Sequence, residues 1–280
     1  MSRRQKRRIK RKVSNLSQHV VPRRIVVHRE TGILTPELYY SVYLAPESQT
    51  EARLFIEMFV RGFCHKANTP DEADLVVFGG GADVNPVLYG ESRHSSTKID
   101  RERDESDILL YEECLAKGIP MFGVCRGAQF LHVMNGGKLY QDVAWHNSSH
   151  AMTEPQTGKT FTVSSVHHQM CKENEKMEVL GYCNGLSEHR ALSDKVAESG
   201  KIKEVEAFFY RDTGCFGVQG HPEYPGYPTF TAWCMQKMLE LFDHNPDYEL
   251  RNSFRRLKED IIHGRQNTHD DLRALIEEMD

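Results

Sequence analysis

Cys125 stands between Val124 and Arg126, and Gly123 and Gly127 bracket that trio. An apolar run, Ile119 to Val124, leads into it, and a helix-like pattern, RGAQFLHVMNGG, leaves it. Small neighbours suit a sharp strand-to-helix turn, which lifts the central side chain out of a sheet as in the nucleophile elbow of hydrolases. A helix N-terminus favours a thiolate through its partial positive charge. The N–H of Arg126 can point at a developing oxyanion. The same pentapeptide also fits a buried core thiol, because free cysteines are often buried. On these residues alone the two readings are even.

A nucleophilic thiol needs a base, and the base needs an orienting group. GVQGHPEYP, Gly217 to Pro225, offers both. His221 would take the thiol proton and return it to the leaving amine, and Glu223, across the stiff Pro222, would hold the imidazole tautomer. Taken alone, His-Pro-Glu also describes an ordinary surface turn. In VVFGGGADVNPVLYGE, Val76 to Glu91, a glycine run follows a strand. Its amides fall at the edge where open parallel sheets bind ligands, so Gly80 or Gly81 can give a second oxyanion donor. The stretch lacks a Walker lysine and does not match GxGxxG, which argues against a nucleotide loop.

Two further groups invite a chemical reading. His146 and His150 are four apart, like a metal pair on a helix, but Asn147, Ser148 and Ser149 between them suit a loop. No thiolate or carboxylate is spaced to complete a ligand set, so the expectation is no metal. DRERDESD, Asp100 to Asp107, reads as a helix start with acids at the positive end of the dipole. Arg103 and Asp104 could also support the loop beside the site by pairing.

These residues need a scaffold. RIVVH (Arg24 to His28), DLVVF (Asp74 to Phe78) and IPMFGV (Ile119 to Val124) read as buried strands. Helical spacing falls over Glu51–Phe63, over Asp104–Gly118 with Gly118 as its stop, and after Cys125. The second half adds strands at Phe161–Val166, Met177–Tyr182, Val205–Tyr210 and Cys215–Gly220, then a helix over Phe230–Phe242. Alternating strands and helices imply an α/β fold, a mostly parallel sheet covered on both faces. Residues 24–245 are expected to form that domain, 1–23 a basic disordered tail, and 246–280 a helical extension.

The charge is uneven. The first twelve residues carry eight Lys/Arg and no acid, so with −4 overall the rest of the chain stands at −12. Such a tail is usually solvated, and its chemistry also suits nucleic acid or an acidic protein surface. No run of 18 apolar residues is present, which excludes a membrane helix, and no apolar stretch backs the basic start, which excludes a secretory signal. Seven cysteines without framework spacing suit reduced thiols and a cytoplasmic setting.

Taken together, Gly80–Glu91, Asp100–Asp107, Gly118–Val143 and Glu206–Pro225, with SSVHHQ at Ser164–Gln169, resemble the class I glutamine amidotransferase superfamily. The closest likeness is to its gamma-glutamyl hydrolase branch, the gamma-glutamyl-gamma-aminobutyrate hydrolase type. It covers about residues 24–242. The resemblance implies a flavodoxin-like three-layer sandwich, a Cys125–His221–Glu223 triad and an oxyanion hole at Gly81 and Arg126. It also implies substrate contacts at Gln129, Gly80 and His167. The implied chemistry is thiolate attack on a gamma-carboxamide, a glutamyl thioester, and release of ammonia or an amine, with no organic cofactor. Glutamine feeding a separate synthetase and a free-standing hydrolase of gamma-glutamyl amines both fit, and a non-catalytic binding protein on this fold is a third reading. One departure is Gly220, where that branch carries a bulky aromatic, which is expected to open the pocket.

Overall fold

The computed structural model describes residues 25–27, 34–36, 40–46, 64–184, 203–224 and 226–243. The helix expected over Glu51–Phe63, the basic segment 1–23 and the amphipathic segments after Pro246 lie outside them. The chain divides into two compact units, Tyr40–His244 and a second made of Met1–Tyr39 with Asn245–Asp280. In the second unit β1 (Ile25–Val27) pairs antiparallel with β2 (Leu34–Pro36) in a two-stranded sheet of their own. The RIVVH strand is therefore present, but its partner is β2 and not the central sheet.

The Tyr40–His244 unit is built on a nine-stranded sheet. One half is parallel: β3 (Tyr40–Leu44), β4 (Cys64–Lys66), β5 (Leu75–Phe78), β6 (Met121–Val124) and β13 (Cys215–Val218). The other half is antiparallel: β8 (His150–Thr153), β9 (Thr160–Val163), β11 (Glu178–Asn184) and β12 (Lys203–Tyr210). The order across the sheet is β4-β3-β5-β6-β13-β12-β11-β8-β9. A small antiparallel pair, β7 (Leu139–Tyr140) with β10 (Met170–Cys171), stands beside it.

LVVF, MFGV and CFGV in β5, β6 and β13 are buried at every position. Continuous apolar strands of this kind require cover on both faces. Three helices among the described residues supply it: α1 (Arg101–Lys117), α2 (Arg126–Met134) and α3 (Pro228–Asp243). Val76, Phe78, Met121, Phe208 and Cys215 share one core with Leu110 and Tyr111 of α1 and Phe130 and Leu131 of α2. The alternate residues face the other way. Phe122 stacks on Phe216 at 5.0 Å, Phe216 meets Trp233 of α3 at 6.3 Å, and Phe209 meets Phe242 at 6.3 Å. The period-2 alternation of strands thus places α1 and α2 on one face and α3 on the other, giving three layers. Helix α1 starts where Asp100 accepts from the Arg103 N–H at 3.1 Å and stops at Gly118, φ 62°.

The crossover from β6 to α2 is the tightest contact in the unit. A Cβ on Gly127 would lie 1.9 Å from the Phe78 carbonyl oxygen, and one on Gly123 would lie 2.6 Å from the Gly127 backbone. Backbone cannot yield as a side-chain tip can. Gly127→Ala is expected to destabilise the protein by about 3 kcal/mol, an overpacking cost. Thermal unfolding measures it, and a variant melting with the parent would show that β5 and α2 do not approach this closely.

Candidate active site

The β6–α2 crossover sets Cys125 at φ 52°, ψ −112°, one of two described non-glycine residues with positive φ. That conformation is costly for an L-residue and persists only where its surroundings impose it. The Cys125 N–H donates to the Val218 carbonyl at 2.8 Å, and the Cys125 carbonyl accepts from Gln129 N–H at 3.1 Å. The turn is therefore pinned to the end of β13 on one side and to the first turn of α2 on the other.

The chain leaving β13 carries His221 to this point. The Ser164 hydroxyl accepts from the His221 N–H at 2.7 Å and donates to its carbonyl at 3.3 Å. Thr231 of α3 donates to the Pro222 carbonyl at 2.6 Å. The charges of Cys125 and Glu223 both act on the His221 ring, whose Nδ1 lies 2.7 Å from Glu223 Oε1. Burial alone would pull the imidazole down; the bonds and charges of Cys125 and Glu223 outweigh it and hold His221 up to about 10. All three side chains are buried, and Cys125 keeps 8% of its surface. The structure brings the three residues together in the order thiol, imidazole, carboxylate.

Cys125 opens on a cavity of about 380 Å³ whose wall includes Gly81, Arg126, Gln129 and His167. Arg126 is the first residue of α2, so its N–H has no intrahelical partner. Its side chain turns away from the cavity to ion-pair with Asp104 and Asp107. The neighbouring Arg103 donates to the carbonyls of Gly79 at 2.9 Å and Gly80 at 2.6 Å. Arg103 thus supports the loop as expected, although it pairs with Asp107 rather than Asp104, and the acids of this helix start belong to a buried network. Gly81, at φ 133°, has no room for a side chain, since its Cβ would lie 2.1 Å from Arg103 Nη1.

Two expectations need correction. Gly80 is buried with its carbonyl on Arg103 and is not part of the cavity wall. Gly220 does not open the pocket: the space its side chain would take is closed by Ser164, Phe230 and Val163, all within 3.3 Å of an added Cβ. Of the paired histidines in SSVHHQ, His167 is buried and donates Nδ1–H to the Gln169 carbonyl at 2.9 Å. His168, which no motif spacing singles out, faces the cavity, with Nε2 3.0 Å from Asp83 and Nδ1 3.6 Å from Asp142. The hydrogen bond to Asp83 raises the His168 imidazole above its ordinary value. Lys98 and Ser96 complete that side of the wall. Gln129 holds the other side by donating to the Gln169 carbonyl at 2.9 Å.

Asn147, Ser148 and Ser149 do form a loop, as their types suggest, but the expectation that no carboxylate joins His146 and His150 is overturned. His150 opens β8, both rings are buried, and Glu206 of β12 closes on them as a carboxylate that spacing along the chain did not reveal.

A parallel sheet with a cysteine raised at a strand–helix turn, under an imidazole and a carboxylate, defines a glutamine amidotransferase-like α/β protein. The chain belongs to the Peptidase C26 family, whose model matches residues 65–223. Protein NtpR of Enterococcus hirae is 29% identical over 177 residues, 55% of this chain and 68% of that protein. A candidate glutamine amidotransferase-like protein of Lactococcus lactis, YvdE, is 30% identical over 158 residues, 54% of this chain and 66% of its own length. The chain thus spans about two thirds of the length of these relatives. A candidate GMP synthase component from Thermoplasma acidophilum shares the fold, with TM-score 0.52 and 13% identity over 79% of this chain and 98% of that one.

Replacing Arg126 by Met would leave Asp104 buried without its cation and Asp107 with Arg103 alone. The expected loss is about 3–5 kcal/mol, the cost of breaking one side of a buried ion pair. Urea unfolding measures it, and adding Asp104→Asn and Asp107→Asn should recover part. An unchanged midpoint in Arg126→Met would mean the network is solvated.

Proposed function

We propose that this protein hydrolyses a gamma-glutamyl amide bond through a thioester on Cys125. The observation that carries this reading is the thiol at a strained elbow, whose charge acts on a buried imidazole that a carboxylate holds at 2.7 Å. The Cys125 thiolate attacks the carbonyl carbon, and the N–H groups of Arg126 and Gly81 receive the oxyanion. The C–N bond breaks as the His221 imidazolium gives its proton to the departing nitrogen. His221 then takes a proton from water, hydroxide attacks the thioester, and the C–S bond breaks to free glutamate and restore the thiolate–imidazolium pair. Gln129 and His167 brace the pocket that would hold the glutamyl group. No cofactor enters these steps.

The leaving group is most simply ammonia from glutamine, passed to a separate synthetase. A relative named Carbamoyl phosphate synthase small chain, from Streptococcus pyogenes, is 28% identical over 126 residues, though these are 31% of that protein. Its name is that of one chain of a larger enzyme, which supports a partnered role. A second reading, a free-standing hydrolase of gamma-glutamyl amines, is favoured by the cavity itself. Its volume of about 380 Å³ falls in the range of pockets for larger ligands. Lys98, His168 and Asp142 would then face the amine portion. Six of the seven cysteines, Cys114, Cys125, Cys171, Cys183, Cys215 and Cys234, are unbonded, which fits a reducing, cytoplasmic setting. Among the described residues no helix is long and apolar enough to cross a membrane.

Incubation with glutamine and with a panel of gamma-glutamyl amines, followed by assay of glutamate, ammonia and free amine, tests the proposal. Cys125→Ala should lose at least about 10³-fold in kcat while keeping its melting temperature. Retained turnover would remove Cys125 from the chemistry. Glu223→Gln should cost roughly 10²-fold. Because Glu223 helps hold His221 protonated, its loss should also move the alkaline limb of the pH–rate profile to lower pH. A limb that stays in place would show that Glu223 does not act on the imidazole.

A further inference from the structure

Beneath the cavity wall lies a second group of titratable side chains that the proposed hydrolysis does not use. His146, His150 and Glu206 are each at least nine-tenths buried. One donor atom from each lies within 4.8 Å of the others. His150 Nε2 sits 3.0 Å from Glu206 Oε1, and His146 Nδ1 sits 3.7 Å from the same oxygen. Yet neither Glu206 oxygen and neither His150 ring nitrogen makes an aligned hydrogen bond, while His146 has the Ser165 hydroxyl 3.3 Å from Nδ1 and only Glu204 Oε2, 3.8 Å away, near Nε2. Buried polar groups are nearly always satisfied, and a buried carboxylate without partners is among the costliest. Donors that crowd together without lying on one another's hydrogen-bond lines are arranged for a shared cation.

The backbone is bent to build this group. Trp145 is 68% exposed and adopts φ 67°, an unfavourable conformation for a bulky residue. That turn drives the next residue, His146, inward while the tryptophan stays outside. The Ser165 hydroxyl then donates to the His146 carbonyl at 2.8 Å, and the His167 N–H donates to it at 3.1 Å.

We propose that His146, His150 and Glu206 form a binding site for a divalent transition-metal ion, zinc first, that is separate from the Cys125 centre. Two imidazoles and one carboxylate suit zinc, and bonds of about 2.1 Å on a tetrahedral ion put ligand atoms about 3.4 Å apart. The separations of 3.0 and 3.7 Å bracket that value. His167 lies in the next layer, its ring 4.6 Å from that of His146. Its Nδ1–H is committed to the Gln169 carbonyl, which leaves Nε2 a buried acceptor without a partner. The ion would join β8 to β12 across β11, where β8 and β11 meet at a single register pair, Tyr182 with Thr153. Its role is to stiffen the wall rather than to touch substrate.

The test uses the full chain carrying Cys125→Ser, which removes the competing thiol that opens on the cavity. Metal content is measured after purification and again after chelation and dialysis, and Zn²⁺ is then titrated back against a chromophoric competitor. About one equivalent per chain is expected, with a rise in thermal midpoint on Zn²⁺ addition. Glu206→Gln and His150→Ala should weaken Zn²⁺ at least about 100-fold. Co²⁺ substitution reads the ligands without relying on variants that fold. Ligand-field bands with no sulfur-to-cobalt charge transfer are expected from two imidazoles and a carboxylate. Three results would each overturn the site: no retained or titratable zinc, a thiolate charge-transfer band, or equal affinity in folded Glu206→Gln.

Discussion

The site depends on one steric fact, the contact between the backbone of α2 and the end of β5. Gly127 can sit against the Phe78 carbonyl only because it has no side chain, and Gly123 clears the same helix from below. Their closeness leaves the turn between them no relaxed path. Cys125 is therefore forced to positive φ, and its side chain leaves the sheet where the helix N-terminus and the adjoining loop converge. The strain is local, and the covered parallel strands on either side are what sustain it. Every chemical property argued for the cysteine follows from this placement, including its reach to His221 and its position beside an uncommitted N–H.

A second constraint lies under the first. Arg103 and Arg126 meet Asp104 and Asp107 with almost no exposure to water. Burying four charges is a poor way to gain stability, because desolvation consumes most of the attraction. What the arrangement supplies is position. Arg103 grips the carbonyls of Gly79 and Gly80, so the glycine loop is held from behind and Gly81 is left at the cavity wall. Arg126 ties α2 to the first turns of α1, and Asp104 also accepts from the Asn85 N–H at 3.2 Å. The loop and the elbow thus share one charged anchor, and neither can shift without opening it.

How much of this was legible beforehand follows from how far along the chain each partner lies. The elbow could be read because both glycines flank the cysteine within five residues. His221 and Glu223 could be read because one rigid turn holds them. Three strands of the parallel half, β5, β6 and β13, announced themselves as apolar runs, whereas β3 (YSVYL) and β4 (CHK) did not. Glu206 could not be read: between Val205 and Ala207 it looks like the polar position of a half-exposed strand, and only the pairing of β12 with β13 and β11 buries it. His167 and His168 lie in a segment without regular structure, so no periodicity indicates which ring faces the cavity. Asp104 and Asp107 have the pattern of a capped, solvated helix start, and their burial comes from an arginine two elements away. Gly220 misled for a related reason, since the ring that fills its space, Phe230, arrives from α3.

The segment from Ser164 to Gln169 links the two halves of the sheet. Ser164 holds the backbone of His221, while Ser165 and His167 hold the carbonyl of His146. The Gln169 carbonyl accepts from Gln129 beside the elbow and from Gln219 at 3.1 Å, and Gln219 N–H in turn donates to the Glu206 carbonyl at 2.8 Å. One irregular stretch therefore carries the base, the cavity wall and the buried histidine–glutamate group. Loops are usually the most mobile part of a site. This one is bonded at nearly every residue, and through Gln219 it reaches Glu206 on the antiparallel half. Ordering His146, His150 and Glu206 would thus order the wall facing Cys125, through hydrogen bonds alone and without any contact with the reacting atoms.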